Sequence, residues 1–238
     1  MGLPVFEVAS SARVAAGYGT THSVSLTVPA GHNRIVFVVG STTGVGAPTD
    51  IATTFGGLAP SGRVFFHTDS TLQGTVVEYW TNDRFGTGAI TAALTRTGST
   101  DDGGAAIAAV CLSNVRYPGV PLVLPAGTAS GVGVDFDTTA PGFAAECLIV
   151  DFWGFFGGAA PVVGSLQTSR VNDNGAEAGV CVSTQDGANG GSITWTWSGA
   201  GFTGGAVTVD GASTPSINSS GHPRQQVRDA TGPRYQLR

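Results

Sequence analysis

Apolar residues recur along the chain in short runs of strand length rather than at helical spacing: SVSLTV, RIVFVVG, RVFFHT, TVVEYWT, AITAALT, AAIAAVCLSNV, ECLIVDFWG, AGVCVST, SITWTW and GAVTVDG. Some alternate strictly with polar residues and others are continuously apolar, and both patterns are those of β-strands. At least ten strands are predicted. The segments between them, among them PAGHN, FGGLAPSG, TNDRFGTG, TGSTDDGG, NDNG, DGANGG and SGAGFTGG, are turn chemistry in which Gly supplies positive φ and Asn or Asp starts the turn. None is long enough to hold a crossover helix, so antiparallel pairing follows. The prediction is an all-β chain: an antiparallel β-sandwich of jelly-roll type, two sheets covering each other's apolar faces.

The proline-rich stretch from Tyr117 to Gly142 reads as part of one continuous domain rather than as a linker, because either half alone would leave a long open sheet edge. From Gly211 the periodicity stops. Residues 1–210 are therefore expected to form the sandwich and residues 211–238 an extended tail, with too little apolar surface to offset its own chain entropy.

Composition sharpens this picture. The 238 residues include 37 Gly and 12 Pro, which leaves little room for long helices, and 41% are hydrophobic, ample for a core. Only 11% are charged, so the surface must be covered by Thr, Ser, Gly, Asn and Ala, as suits packing against other protein. Lysine is absent, which excludes Schiff-base lysine chemistry and the lysine-bearing phosphate loop. The net charge of −5 is unevenly spread: the tail carries +3 and the remainder −8.

Cys111, Cys147 and Cys181 each lie inside an apolar run at separations that match no metal-ligand pattern, and are expected to be buried thiols. The first residues, MGLPVFEVASSARV, have neither a basic start nor an apolar stretch long enough for export, so no export signal is expected, and no apolar run is long enough to span a membrane as a helix. There is no Gly-x-Ser-x-Gly elbow, no His-Glu-x-x-His and no paired-cysteine zinc pattern. His22, His32, His67 and His222 are scattered over strands, turns and tail and read as ordinary surface residues. The acidic turns at Asp101-Asp102 and Asn172-Asp173-Asn174 lack the spacing of a calcium loop. The chain is accordingly expected to be no enzyme and to hold no cofactor or metal.

Strand alternation gives one constellation of interest. Glu78 shares a face with Trp80, Asp151 with Trp153, and Trp195 with Trp197. Gathered on one concave sheet, Trp80, Trp153, Trp195 and Trp197 could stack on sugar rings, with Glu78 or Asp151 as the carboxylates of a glycan hydrolase. Against this stands the usual place of tryptophan in a sandwich, filling the space between sheets. In the tail, Arg224, Arg228, Arg234, Tyr235 and Arg238 are too sparse, and hang from too acidic a body, for nucleic acid. They suit a docking arm that grips carboxylates on a neighbouring subunit.

The order SVSLTVPAGHNRIVFVVG, an aromatic followed by Gly56-Gly57, then GTVVEYWT, GAITAALT and AAIAAVCLSNV resembles a β-sandwich module of tailed-bacteriophage structural proteins and of some bacterial surface and secreted proteins. The resemblance covers residues 20–115 closely and 116–210 loosely. It implies a virion structural protein, a capsid decoration or minor tail protein, assembled in the host cytoplasm onto the virion surface. Its expected partners are the major capsid or tail proteins of the same particle and further copies of itself. The alternative it implies is an extracellular carbohydrate-binding module that reads a host surface glycan through its tryptophans.

Overall fold

Residues 3–14, 21–43, 50–68, 73–82, 84–97, 103–116, 122–123, 127–136, 147–175, 177–189 and 193–211 are described by the computed structural model. The first eight strands are β1 (Val5–Val14), β2 (Thr21–Val28), β3 (Ile35–Thr43), β4 (Asp50–Phe55), β5 (Gly62–Thr68), β6 (Gln73–Thr81), β7 (Gly88–Thr97) and β8 (Ala105–Ser113). They form a five-stranded sheet in the order β1-β8-β3-β6-β5 and a three-stranded sheet in the order β2-β7-β4, antiparallel throughout. In β2 every second residue, His22, Val24, Leu26 and Val28, turns inward while Thr21, Ser23, Ser25 and Thr27 face out. That alternation is the mark of a sheet with one solvated face. β3 and β8 are buried along almost their whole length, because the five-stranded sheet is covered on both faces.

Its second cover comes from the later strands β9 (Leu122–Val123), β10 (Gly127–Phe136), β11 (Cys147–Phe156), β12 (Val162–Val163), β13 (Thr168–Asp173), β14 (Gly179–Asp186) and β15 (Ile193–Asp210). These make a third antiparallel sheet, ordered β10-β15-β11-β14-β13, with the short β9 and β12 also paired to β15. The 18-residue β15 pairs with β11 through its second half, while its first half pairs with β10 and β12.

The protein is therefore a stack of three sheets, where a two-sheet sandwich was expected. The reason is visible in the strands of the middle layer: RIVFVVG and AAIAAVCL are continuously apolar because each residue meets a neighbouring sheet, whichever way it points. Ile35, Phe37 and Val39 pack with Val150, Phe152, Val180 and Val207 of the third sheet, so one core joins the two halves of the chain. Val36 and Val38 point the other way, toward Leu26, Ile51, Phe55 and Leu94. The Phe37 and Phe152 rings meet at 5.1 Å and 48°, and a buried phenyl of this kind contributes about 1.5–3 kcal/mol.

Glycine sets the spacing between layers at two places. A Cβ on Gly154 would lie 2.3 Å from Thr75 Oγ1 and 2.6 Å from Ser41 Oγ, and one on Gly40 would lie 2.4 Å from the Leu94 side chain. Beside Gly154, Thr203 donates its hydroxyl to Thr75 across the same interface. The tail begins at the edge of this body: Gly211 bridges Val115, and residues 212–238 lie outside the described residues.

Candidate functional site

Asp151 sits at the middle of β11, on the face turned away from the five-stranded sheet. It is 1% exposed and is the best-connected side chain described. Its Oδ1 accepts the Ser183 backbone N–H at 3.0 Å and the Ser183 hydroxyl; its Oδ2 accepts the Trp153 indole N–H at 3.0 Å, the Trp195 indole N–H and the Gln167 amide at 3.5 Å. Gln167 also donates to Ser183 Oγ at 2.7 Å. Burial pushes the Asp151 carboxyl above the usual carboxylate range, and the hydrogen bonds from Ser183, Trp195 and Trp153 pull against it. The nearby Cys181 thiol is pushed well up by burial and by the Asp151 charge.

Trp153 and Trp195 close this cluster with Ile149, Phe155, Phe202 and Ala206, and Trp153 meets Phe202 edge-on at 5.2 Å. Gly204 makes the room, since a Cβ there would lie 2.3 Å from the Trp153 ring. The two indoles, 4% and 5% exposed, fill a core instead of offering a stacking platform.

Trp80 belongs to a different core, between the three- and five-stranded sheets, where it is fully buried against Phe55 and donates its indole N–H to Leu58 O at 3.2 Å. Glu78 shares this face of β6 and is 2% exposed. Its Oε2 accepts the Thr53 backbone N–H at 2.8 Å and the Thr53 hydroxyl at 2.7 Å, and its Oε1 accepts Arg63 Nε at 2.9 Å. Arg63 in turn donates to Ile51 O at 3.3 Å and lies 3.8 Å from the Asp50 carboxylate.

The constellation expected from strand alternation is thus split. Glu78 and Trp80 point to one side of the stack, and Asp151, Trp153 and Trp195 to the far side of another sheet. The two carboxylates are separated by the roughly 10 Å between packed sheets plus the reach of two side chains pointing apart, whereas glycosidase carboxylates stand about 5–9.5 Å from each other. Of the two readings weighed for the tryptophans, burial in the core is the one that Trp80, Trp153 and Trp195 take in the fold. Trp197 lies on β15, with its side chain outside the described residues.

The remaining candidates fall as follows. Asn172 and Asp173, expected in a turn, end strand β13; Asn172 donates to Pro161 O at 2.7 Å, Asp173 pairs with Arg13 at 3.1 Å, and Asn174 just beyond donates to Gly158 O, so this segment ties β13 to its neighbours. Among the described residues no group of three metal-binding side chains converges. Cys111, Cys147 and Cys181 are buried, as expected. His32 is exposed, but His22 is buried on β2 and held below the usual histidine range by burial and by Arg96. Asp101, Asp102, His222 and the tail residues Arg224, Arg228, Arg234, Tyr235 and Arg238 lie outside the described residues, as does the His67 side chain.

Two surface features remain. The solvent face of the three-stranded sheet consists of Thr21, Ser23, Ser25 and Thr27 of β2, Ala89, Thr91, Ala93, Thr95 and Thr97 of β7, and Ala52 and Thr54 of β4; its one charge is Asp50, at a corner. At one end this face runs into an open concavity of about 700 Å³, between the Phe55–Leu58 turn and residues 84–87. Gly56 and Gly57 take positive φ in that turn, and Arg34 braces the opposite wall by lying over the Phe85 ring at 5.2 Å.

The residues that complete each carboxylate site, Ser183 and Gln167 for Asp151, Thr53 and Arg63 for Glu78, were not singled out from the sequence. Only Ser183 leaves a trace there, sharing the parity of Cys181 on a strand whose partner carries Asp151. Compared with known proteins, the chain matches no family model, no curated protein and no solved structure.

Proposed function

We propose that this chain is a non-enzymatic structural protein of a bacteriophage particle, decorating or stabilising the capsid or tail through protein–protein contacts. The observation that carries the reading is the solvent face of the β2-β7-β4 sheet: three strands of Thr, Ser and Ala with a single corner charge. Charge depletion of this kind marks the centre of protein interfaces, and an ordinary solvated sheet face is studded with charges instead. Glu78 and Asp151 accord with it as buried groups of the fold, 2% and 1% exposed. The strand orders β1-β8-β3-β6 and β2-β7-β4 favour a jelly-roll reading of the first eight strands, departing from it in β5, which pairs with β6 instead of β4. In this reading the basic tail, with Arg224, Arg228, Arg234, Tyr235 and Arg238, is the arm that grips carboxylates of the major capsid or tail protein.

Mass spectrometry of purified particles from the source tests the proposal. Tens to hundreds of copies per particle are expected, and particles assembled with a chain lacking residues 211–238 should have lost it. Particles free of the chain overturn the structural role. Undiminished incorporation of the truncated chain overturns the tail as anchor.

A further inference from the structure

Among the described residues β4 is an edge strand: β7 pairs with one side of it and no described strand pairs with the other. A free edge exposes alternate N–H and C=O groups that a strand from another molecule can pair with. On β4 these groups belong to Ile51, Thr53 and Phe55, and side chains and a turn already engage four of them. Ile51 O accepts from Arg63, Thr53 N–H donates to Glu78, and Phe55 exchanges hydrogen bonds in both directions with Leu58 in the following turn. Arg63 and Glu78 come from β5 and β6, the strands that pair together in the neighbouring sheet. β5 carries a register irregularity between Arg63 and Phe65, beside the residue that reaches back to β4.

We infer that Glu78 and Arg63 form an edge guard: a side-chain substitute for a fourth strand that keeps β4 from pairing with β4 of a second copy. A twofold pairing of this kind is self-complementary and would continue the sheet to six strands. Charge points to a second copy as the strand held off. The faces such a pairing would join are uncharged apart from Asp50, which Arg63 approaches at 3.8 Å while pairing with Glu78 at 2.9 Å, so one exposed corner charge is all the electrostatic protection these faces give the edge. Hydrogen bonding to the guard supplies what electrostatics does not. The inference stands independently of the role on a particle, because it concerns only what β4 does when its edge is uncovered.

The test uses the full chain and two measurements, mass in solution by light scattering over a concentration series and native tryptophan fluorescence. The double variant Glu78→Ala/Arg63→Ala is expected to keep native fluorescence and to rise, with concentration, to twice the wild-type mass. Adding Thr53→Pro removes the edge N–H while leaving the β7-facing side of β4 paired, and should return the mass to the wild-type value. A folded double variant that keeps the wild-type mass at every concentration overturns the inference, as does association that survives Thr53→Pro. If the double variant loses native fluorescence, Glu78→Leu/Arg63→Met, which removes the same acceptor and donor but fills their space with apolar groups, decides by the same readings. Association reversed by Thr53→Pro supports the guard, and wild-type mass overturns it.

Discussion

Trp195 donates its indole N–H to the carboxylate of Asp151 across 44 residues of sequence, although the backbone partner of Asp151 on the same strand, β15, is Ala206. The two can meet only because the first half of β15 turns back over the sheet that its second half belongs to. The contact is therefore a clasp on that bend. Trp195→Phe keeps the ring and deletes the donor; it is expected to cost about 1.5–3 kcal/mol in urea unfolding, the range for a hydrogen bond to a charged group. A loss indistinguishable from zero would mean that the bend is held by apolar packing alone.

The same carboxylate sets a pH dependence. Burial raises its pKa in the folded state, so between the unfolded value, about 3.9, and the raised folded value the native protein binds more proton than the unfolded chain. Stability from this group is full below the unfolded pKa and is lost as pH rises through the folded one. Asp151→Asn removes the titration, so the stability of wild type relative to the variant should shrink as pH rises through that window. A difference that widens with pH would show the ionised form to be the favoured one in the fold.

Trp80→Ala and Trp153→Ala each empty a large buried volume in a separate core and should each cost about 3–5 kcal/mol, measured by chemical denaturation. Loss of glycan retention by either variant at unchanged stability would return these side chains to a binding surface.

Gly154 and Gly86 make a matched pair. A methyl at Gly154 meets Thr75 and Ser41 at 2.3 and 2.6 Å, whereas at Gly86 it meets nothing within 4 Å. Gly154→Ala is expected to destabilise by about 1–3 kcal/mol through overpacking, and Gly86→Ala to stay within about 0.5 kcal/mol of wild type. Equal melting temperatures for the two variants would contradict the tight contact between the second and third layers.

The thiols offer a chemical check. Cys111 is pushed up to about 12 by burial, and Cys181 well above its ordinary value. Buried out of the reagent's reach, Cys111, Cys147 and Cys181 should resist iodoacetamide in the native protein and all be alkylated in urea, as intact mass would show. Rapid labelling of the native chain would place a thiol at the surface.

Strand positions were legible because period-two alternation and glycine turns are local signals. β2 and β7 alternate as predicted, β4 alternates too but was not among the predicted runs, and the Phe55-Gly56-Gly57 turn is where the aromatic-Gly-Gly motif puts it. The number of layers was also written in the sequence, in the unbroken apolar runs of β3 and β8, but such a run is equally that of any fully buried strand, and its two partners come from far along the chain. Glu78 and Asp151 were found by residue type and face. Their partners were not, because whether Arg63 reaches β4 or Trp195 reaches β11 depends on a bulge and a bend that no spacing announces.

The middle sheet also sets how the molecule opens. An amide in β3 or β8 is hydrogen-bonded within a layer that has another layer above and below, so no partial separation of one cover brings water to it from both sides. Exchange of the Ile35–Val39 and Ile107–Leu112 amides with deuterium should therefore follow the global unfolding rate and report one free energy, while amides of β2 and β4 exchange through smaller openings. A protein stacked in this way has its slowest clock at its centre, and the two halves of the chain keep the same time.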